Sequence, residues 1–286
     1  MPFENATFVL FVDMLGFATL VEAEGDDLSE LNPIFKDIDR HGTFAPAANL
    51  LQYRFVNFHR CIEKARLKIQ DASTGTVIVF SDSAFFQVSA LDGALELART
   101  LMRDLVENGI PARMGIASGS FMFLRSMTDS SSQVSFHMSQ FVGSGIVRAY
   151  AAAERSKIPG LRIFLHPSSI LLGEHLDESV HTLDVASTPD AEVQITRELN
   201  YLDPKSHRKY PGPHYADAIV FDGLRDMWGE ADEKFHYHYR ATFDALNRMR
   251  AQFGRNSYEF DKMLDRGKYD KEHDIHPPEY RAEDWN

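Results

Sequence analysis

Two apolar runs, each interrupted by a single aspartate, constrain this chain more than any other feature. The first is FVLFVDMLGFATL at 8–20, with Asp13, and the second is TVIVFSDSAFFQVS at 76–89, with Asp82. Each aspartate follows four or five residues typical of a buried strand. Neighbouring strands would bring the two carboxylates together as an oxygen-rich site that suits Mg²⁺ or Mn²⁺. The alternative is that each aspartate only forms a turn or caps a helix.

A short turn follows the first aspartate. Leu15, Gly16 and Phe17 come between Asp13 and a helical pattern, and the free backbone amides at the start of such a helix can bind phosphate. A metal ion beside a phosphate group is therefore the first hypothesis for this part of the chain.

Composition excludes several classes of protein. The 286 residues suit one large domain or a domain with an extension, and a hydrophobic content of 44% is enough for a packed core. A net charge of −12 argues against nonspecific binding to nucleic acid or to acidic membranes. The single cysteine, Cys61, excludes an intrachain disulfide and a cysteine-based zinc site. No signal-like or membrane-spanning segment is evident, so we expect a cytoplasmic protein.

The order of predicted elements indicates an α+β fold. The pattern β-α-α-β-β-α-β-α-β is that of a ferredoxin-like sandwich with additions. The predicted strands lie at 6–13, in two parts of 74–89 with Asp82 at the tip of the hairpin, at 112–124 and at 162–166; the predicted helices follow Gly16 and lie at 47–70, 91–108 and 143–155; 24–46 and the Ser-rich 128–133 are predicted loops.

The pattern stops near residue 204. We therefore predict a first domain at 1–204 and a helical C-terminal extension at 205–286, with one long helix at 229–253. The strands around Asp13 and Asp82 are apolar on both sides, which predicts that a second copy of the chain covers the sheet face left free by the helices.

Two arginines are candidates for binding an anion. Arg113 begins a strand expected beside the Asp82 hairpin, where it either meets phosphate or forms an ordinary salt bridge. Arg148 lies in a helix that is otherwise mostly alanine and apolar, so it either extends its charge to the surface or is functional. The motifs GxxxxGK, GxGxxG, HExxH and GxSxG are all missing.

Four segments together resemble the catalytic domain of class III nucleotidyl cyclases. They are FVDMLGF, VFSDSAFF (with Ser81 where the family usually has Gly), ARMGIASG and GSGIVRAYAAAE, and the resemblance spans roughly residues 6–203. It implies that 1–204 is a cyclase catalytic domain and that Asp13, Asp82 and the carbonyl of Met14 bind two Mg²⁺ or Mn²⁺ ions. It also implies that the amides around Leu15, Gly16 and Phe17 bind the triphosphate.

The same resemblance implies a head-to-tail homodimer with its sites at the interface. Asp13 and Asp82 of one chain would face Arg148 and Gln140 of the other, and either Arg148 or Arg113 would offset the charge that grows on the α-phosphate. Alignment from Glu154 places Arg148 where the family has its transition-state Asn, whereas alignment from Gly143 places Val147 there.

Two further positions bear on the choice of base. Purine-specific members carry a Lys and an Asp where this chain has Ile78 and Gln140, and a Gln amide can both donate and accept. The FSDS, AYxxxE and NYL segments look most like the pyrimidine cyclases of bacterial anti-phage Pycsar systems. Those enzymes make cyclic UMP or cyclic CMP as a signal that activates a separate effector, and the resemblance favours UTP.

Other functions stay open at this point. The chain could be a cytidylate or purine nucleotide cyclase, or a catalytically inactive cyclase-like domain that senses a nucleotide. A phosphotransferase or diguanylate-type enzyme on a related palm fold is a further alternative, but FSDS does not match the Gly-Gly-acid hairpin usual in those enzymes.

Overall fold

A mixed seven-stranded sheet packed against helices forms the centre of the protein. The computed structural model describes residues 7–24, 50–71, 75–129, 136–170, 182–186, 188–202 and 213–265. Apart from Glu24 and two residues of the Ser-rich segment, the predicted loops at 24–46 and 128–133 lie outside these ranges.

The elements follow the predicted order with additions. The strands are β1 (Phe8–Met14), β2 (Gly75–Val79), β3 (Ser83–Val88), β4 (Ala112–Ser118), β5 (Met122–Asp129), β6 (Phe136–Val142), β7 (Ile163–Leu165), β8 (Thr182–Asp184) and β9 (Arg197–Leu199). The helices are α1 (Phe17–Glu24), α2 (Leu50–Asp71), α3 (Leu91–Glu107), α4 (Ser144–Glu154), α5 (Pro167–Ile170), α6 (Pro213–Glu230), α7 (His236–Ala251) and α8 (Phe260–Leu264).

The central strands have the ferredoxin-like arrangement. Their order is β2-β3-β1-β4, and all three pairs of neighbours are antiparallel. β7 then adds parallel to β4, and β9 and β8 extend the sheet beyond it. The predicted α+β class is confirmed, and Asp82 lies in the turn of the β2–β3 hairpin as expected.

The predicted strand at 112–124 is wrong, because the chain forms two strands there. β4 ends at Ser118, and β5 then pairs with β6 as a separate two-stranded sheet. Hydrogen bonds to the start of α4 hold the chain between them: the amide of Gly145 donates to the Ser120 carbonyl at 3.0 Å, and the amide of Ser120 donates to Ser144 Oγ at 3.1 Å.

Alternation along the strands divides the core between the two faces of the sheet. One face carries Leu10, Val12 and Met14 of β1 and packs against α2 and α3 in the larger core. The other face carries Val9 and Phe11 and packs against α4 in a smaller apolar cluster. A helix of the same chain therefore covers part of the face that the sequence assigned to a partner.

The C-terminal helix predicted at 229–253 is confirmed at 236–251, as α7, but the structure has a second helix, α6, that was not predicted. α6 ends at Glu230 and α7 begins at His236, with a short 3₁₀ turn at Glu233–Phe235 between them. Asp232 starts this turn by accepting a hydrogen bond from the Lys234 amide at 3.3 Å. Apolar residues of α6 and α7 share the larger core with β1. None of the described helices is long and apolar enough to cross a membrane.

Candidate active site

The structure brings the two candidate metal-binding aspartates together. Asp13 is the penultimate residue of β1 and pairs in register with Ser83, the residue after Asp82. The amide of Met14 donates to the carbonyl of Asp82 at 2.8 Å. The β2–β3 turn is thus fixed against the end of β1, and both carboxylates belong to one small region of one chain.

The turn that carries Asp82 is held by its own residues and by α2. Ser81 Oγ donates to Asp82 Oδ1 at 3.0 Å. His59 of α2 lies 3.1 Å from the Ser81 carbonyl through Nε2, and because a carbonyl only accepts, this nitrogen carries the proton. Burial lowers the pKa of His59, which favours the neutral ring. These contacts orient the Asp82 carboxylate before any ligand binds.

Strand β4 brings Arg113, and helix α4 brings a third acid, Glu154, to the same place. Arg113 lies opposite Asp13 on β4; its Nη1 donates to the Ala153 carbonyl at 3.1 Å and lies 3.9 Å from Glu154 Oε1. The close packing depends on Gly115, because a Cβ there would lie 2.1 Å from the Ala149 carbonyl oxygen. The contact with Glu154 is the ordinary salt bridge that the sequence allowed for Arg113. The binding of phosphate by Arg113 stays a prediction.

Sequence reasoning missed Glu154 as part of the site. The sequence shows Glu154 only as the last residue of AYAAAE, near the end of the predicted helix, and gives no sign that it approaches Asp13. The packing of α4 across β4 brings it near Asp13, and such long-range proximity is invisible in a local motif.

Negative charge accumulates around Asp13. Burial is the largest cause that raises its pKa, to about 8, followed by the charges of Glu154 and Asp82, whereas Arg113 acts in the opposite direction. Carboxylate oxygens that repel each other in this way suit a divalent cation. No group of three or more His, Cys, Asp or Glu side chains within the described ranges is arranged to hold a metal ion. The candidate set is thus the two aspartates with the Met14 carbonyl.

The turn after Asp13 has the shape expected for phosphate binding, with one correction. Gly16 has a φ of +76°, and its carbonyl accepts from the Leu20 amide at 3.1 Å as α1 begins. The amide of Leu15 already donates to the Pro111 carbonyl at 2.8 Å, so it is not free for phosphate. The candidate amides are those of Gly16, Phe17 and the rest of the first turn of α1.

Arg148 lies at the opposite end of the sheet from the aspartates. Its Nη1 donates to the carbonyl of Ser118, which pairs with Phe8 at the start of β1. Arg113, which pairs with Asp13, lies five residues before Ser118 on β4, so roughly 17 Å separates these two positions along the strand. Within one chain, the structure therefore does not bring Arg148 and Asp13 together.

The two candidate base-reading residues lie on different sheets. Ile78 of β2 is buried and pairs with Phe85, which belongs to the cluster on the sheet face that also carries Asp13. Gln140 belongs to β6, where it pairs with Leu124, and its side chain lies outside the described part of the structure. The ring of the next residue, Phe141, lies 5.8 Å from that of Phe85, so β6 approaches the β2–β3 hairpin.

No family model matches the sequence, and no curated protein matches it. The fold is similar to solved nucleotidyl cyclase structures. The guanylyl cyclase Cya2 has 15% identity and a TM-score of 0.40 over 68% of this chain and 91% of that one. The guanylate cyclase domain of RhGC from Catenaria anguillulae, solved with GTP, has 11% identity and a TM-score of 0.45, with coverages of 68% and 94%. The adenylyl cyclase CyaB from P. aeruginosa has 15% identity and a TM-score of 0.38, with coverages of 68% and 93%.

Proposed function

We propose that this protein is a pyrimidine nucleotide cyclase that converts UTP to 3′,5′-cyclic UMP and pyrophosphate. In this reaction the ribose 3′ oxygen forms a bond to the α-phosphorus and loses its proton. The bond between the α-phosphorus and the oxygen that bridges to the β-phosphate breaks, and pyrophosphate leaves. The observation that carries the proposal is the fixed pair of Asp13 and Asp82 beside the first turn of α1.

Asp13, Asp82 and the Met14 carbonyl would hold two Mg²⁺ or Mn²⁺ ions. These ions, when bound, acidify the 3′ hydroxyl and neutralise the triphosphate. The chain's own contribution is to hold the carboxylates in place: β1 fixes Asp13, and Ser81 fixes Asp82 through the hydrogen bond to Oδ1.

The phosphates would bind at the turn and at the candidate cations. The free amides of Gly16 and Phe17 point from the start of α1 and suit the terminal phosphates of the substrate. Arg113 is buried beside Asp13 and offsets part of the negative charge there. Among the described residues, it is therefore the candidate cation that a chain would supply to its own site.

Arg148 would act on the substrate held by a second copy of the chain. The separation of roughly 17 Å between the ends of β4 rules out action within one chain. A two-fold dimer in which the copies run head to tail would place each Arg148 beside the partner's aspartates, with two equivalent sites.

An exposed apolar surface on the α4 side of the sheet supports this assembly. Large apolar side chains are usually buried, but four of them are exposed here. The solvent-exposed fraction is 39% for Phe80, 64% for Val142, 62% for Val147 and 39% for Tyr150. Two of these side chains also contact the smaller apolar cluster: the ring of Phe80 packs on Phe85, and the ring of Tyr150 packs on Phe11. We propose that a second copy of the chain covers this surface.

Ile78 and Gln140 would select the base in the same interface. Ile78 offers an apolar contact and no hydrogen bond, so it cannot read the edge of a purine in the way a lysine can. The Gln140 amide can donate and accept, as a pyrimidine edge requires. By resemblance to the Pycsar cyclases, the cyclic product would act as an anti-phage signal that activates a separate effector.

The test is to incubate the purified protein with Mn²⁺ and each of the four ribonucleoside triphosphates and to identify the products by mass. We expect cyclic UMP as the main product, less cyclic CMP and no purine product, with no product from Asp82→Asn. Dominant cyclic AMP or cyclic GMP would overturn the choice of base. Nucleotide binding without any product would favour the inactive sensing domain instead.

A further inference from the structure

A cavity of about 250 Å³ lies behind the turn that follows Asp13. Its walls come from that turn and α1, from the start of α2, and from the segment between α6 and α7. Neither Asp13 nor Asp82 lines it. The cavity is therefore separate from the proposed metal site, although the two share the turn at Leu15 and Gly16.

One buried cation in the wall has an unused donor. Arg54 is 7% exposed, and its Nη2 donates to Glu230 Oε2 at 3.2 Å. Its Nε is buried and has no hydrogen-bond partner within the described part of the chain. Because buried donors are normally paired, this N–H indicates a missing acceptor, and an oxygen atom of a ligand would supply it.

The remaining charges of the cavity balance each other. Glu230 is paired with Arg54, and Asp232 lies 3.2 Å from Lys234 Nζ. The other walls are more apolar than polar: Leu20 and Phe235 line them, together with the polar side chains of Thr19, His238 and Tyr239. A full charge on a ligand would thus be unpaired in a confined, mostly apolar space, which disfavours both anions and amines.

We propose that this cavity binds a small neutral molecule with an apolar body and one oxygen acceptor for Arg54. Its volume suits a compact ligand of roughly ten non-hydrogen atoms. The ligand would also act on the neighbouring site: Phe235 Cζ lies 3.7 Å from where a Cβ of Gly16 would be, so the segment between α6 and α7 packs directly on the turn. This second effect, a change in KM for the nucleotide, rests on the proposed function, whereas binding does not.

Binding is tested on the full chain by saturation-transfer NMR with benzamide. Benzoate and benzylamine are matched probes of similar size that carry a negative and a positive charge. We expect a saturation-transfer signal from benzamide at millimolar concentration, and we expect both charged probes to bind at least about tenfold more weakly. Preference for either charged probe would overturn the neutral ligand class, and the absence of binding by all three would overturn the site.

Variants locate the binding. Ala231→Phe places a ring in the cavity wall and should abolish the benzamide signal, whereas Ala251→Phe adds the same ring at an exposed position of α7 and should leave it unchanged. Arg54→Met keeps the aliphatic stem and should weaken binding about tenfold through loss of the donor. Unchanged affinity in a folded Ala231→Phe protein would overturn the location. An effect on KM needs turnover, so an inactive enzyme that still binds benzamide contradicts only the proposed function.

Discussion

Asp13 and Arg113 face each other across the neighbouring antiparallel strands β1 and β4. The arginine nevertheless donates to the Ala153 carbonyl and lies 3.9 Å from Glu154, so it is shared with the end of α4. Its charge therefore balances the carboxylates only in part, and the pKa of Asp13 stays raised by burial and by its acidic neighbours. An additional cation would neutralise these carboxylates more fully.

Replacing either aspartate with asparagine should abolish turnover and preserve the fold. Loss of one carboxylate would remove a proposed metal ligand, and we expect activity to fall on the order of 10²-fold or more. Asp13→Asn should not lower Tm, because burial and the acidic neighbours Glu154 and Asp82 already disfavour a charge at this position. Product formation and Mn²⁺ affinity are measured beside Asp92→Asn, an exposed acid on α3 that should behave as wild type. Near-normal activity of either variant at the site would contradict the two-metal proposal.

The ferredoxin-like order and the meeting of the two aspartates could be predicted from local patterns. β1 and the β2–β3 hairpin are short apolar runs with clear ends, and Asp82 lies in the hairpin turn where the pattern changes. Strand periodicity and turn residues act over a few positions, so a single sequence contains this information.

Other features depend on contacts between distant segments. Glu154 enters the site only because α4 crosses β4 at Gly115, and the β5–β6 hairpin separates from β4 where Ser144 binds the Ser120 amide. The break between α6 and α7 comes at Asp232, whose capping role is hidden within a continuous charged and aromatic stretch. These outcomes are set by tertiary packing, which local propensity does not encode.

Gly115→Ala should destabilise the protein and reduce activity together. The new Cβ would lie 2.1 Å from the Ala149 carbonyl oxygen, so α4 would have to move away from β4, at a cost of about 1–3 kcal/mol. The movement would also displace Glu154 and the carbonyl that holds Arg113. Gly93→Ala is the matched control, since within the described residues no atom beyond its chain neighbours and its own helix backbone lies within 4 Å of its Cβ position on α3, and the change should be neutral or stabilising. Urea denaturation of both variants measures the difference, and equal stability would contradict the close packing.

His238 should contribute a loss of unfolding free energy in mild acid, whereas the raised pKa of Asp13 contributes in the opposite direction. Burial, followed by the charge of Arg113, lowers the pKa of His238 to about 4, and its Nδ1 accepts from the Gly160 amide at 3.1 Å. The unfolded chain takes up a proton near pH 6.5 and the folded chain only near pH 4, so this stabilisation is complete above pH 6.5 and is lost as the pH falls toward 4. Since the ring is partly exposed, we expect an effect on the order of 1 kcal/mol.

His238→Gln isolates this contribution. The glutamine does not titrate, so the stability difference between pH 7 and pH 5 should shrink relative to wild type in chemical denaturation. His59 and His166, whose pKa values are lowered mainly by burial, contribute to the slope that remains in the same direction, and Asp13, whose pKa is raised, contributes in the opposite direction. An unchanged difference between the two pH values would show that His238 is not the group responsible.

Truncation at residue 204 should leave a chain that does not fold stably. Phe221 and Leu224 of α6 are fully buried, and α6 lies so close to α3 that a Cβ at Gly223 would be 2.1 Å from the Val106 carbonyl oxygen. Removing 205–286 would expose this apolar side of α3 to water. Soluble yield and circular dichroism are compared with a control that lacks only residues 266–286. A well-folded 1–204 fragment would establish that the extension is a separate unit.

Mixing two inactive chains tests whether the active site is shared between copies. Asp82→Asn removes a proposed metal ligand, and Arg148→Ala removes the cation at the opposite end of the sheet. Because roughly 17 Å separates the two ends within one chain, each site of a dimer would combine Asp82 of one copy with Arg148 of the other. A heterodimer then contains one site with both substitutions and one site with neither.

The expected outcome is recovery of activity on mixing, to at most about one quarter of wild type, because random exchange makes half of the dimers heterodimers and each has a single intact site. Exchange is verified with chains of different mass, and sedimentation tests whether the wild-type protein is dimeric at the assay concentration. Val147→Asp, on the exposed apolar surface, should weaken the dimer and the recovery together, since a charge would be buried there. A monomer at the assay concentration, or no recovery after verified exchange, would exclude the shared site and leave Arg113 as the cation that a chain supplies to its own aspartates.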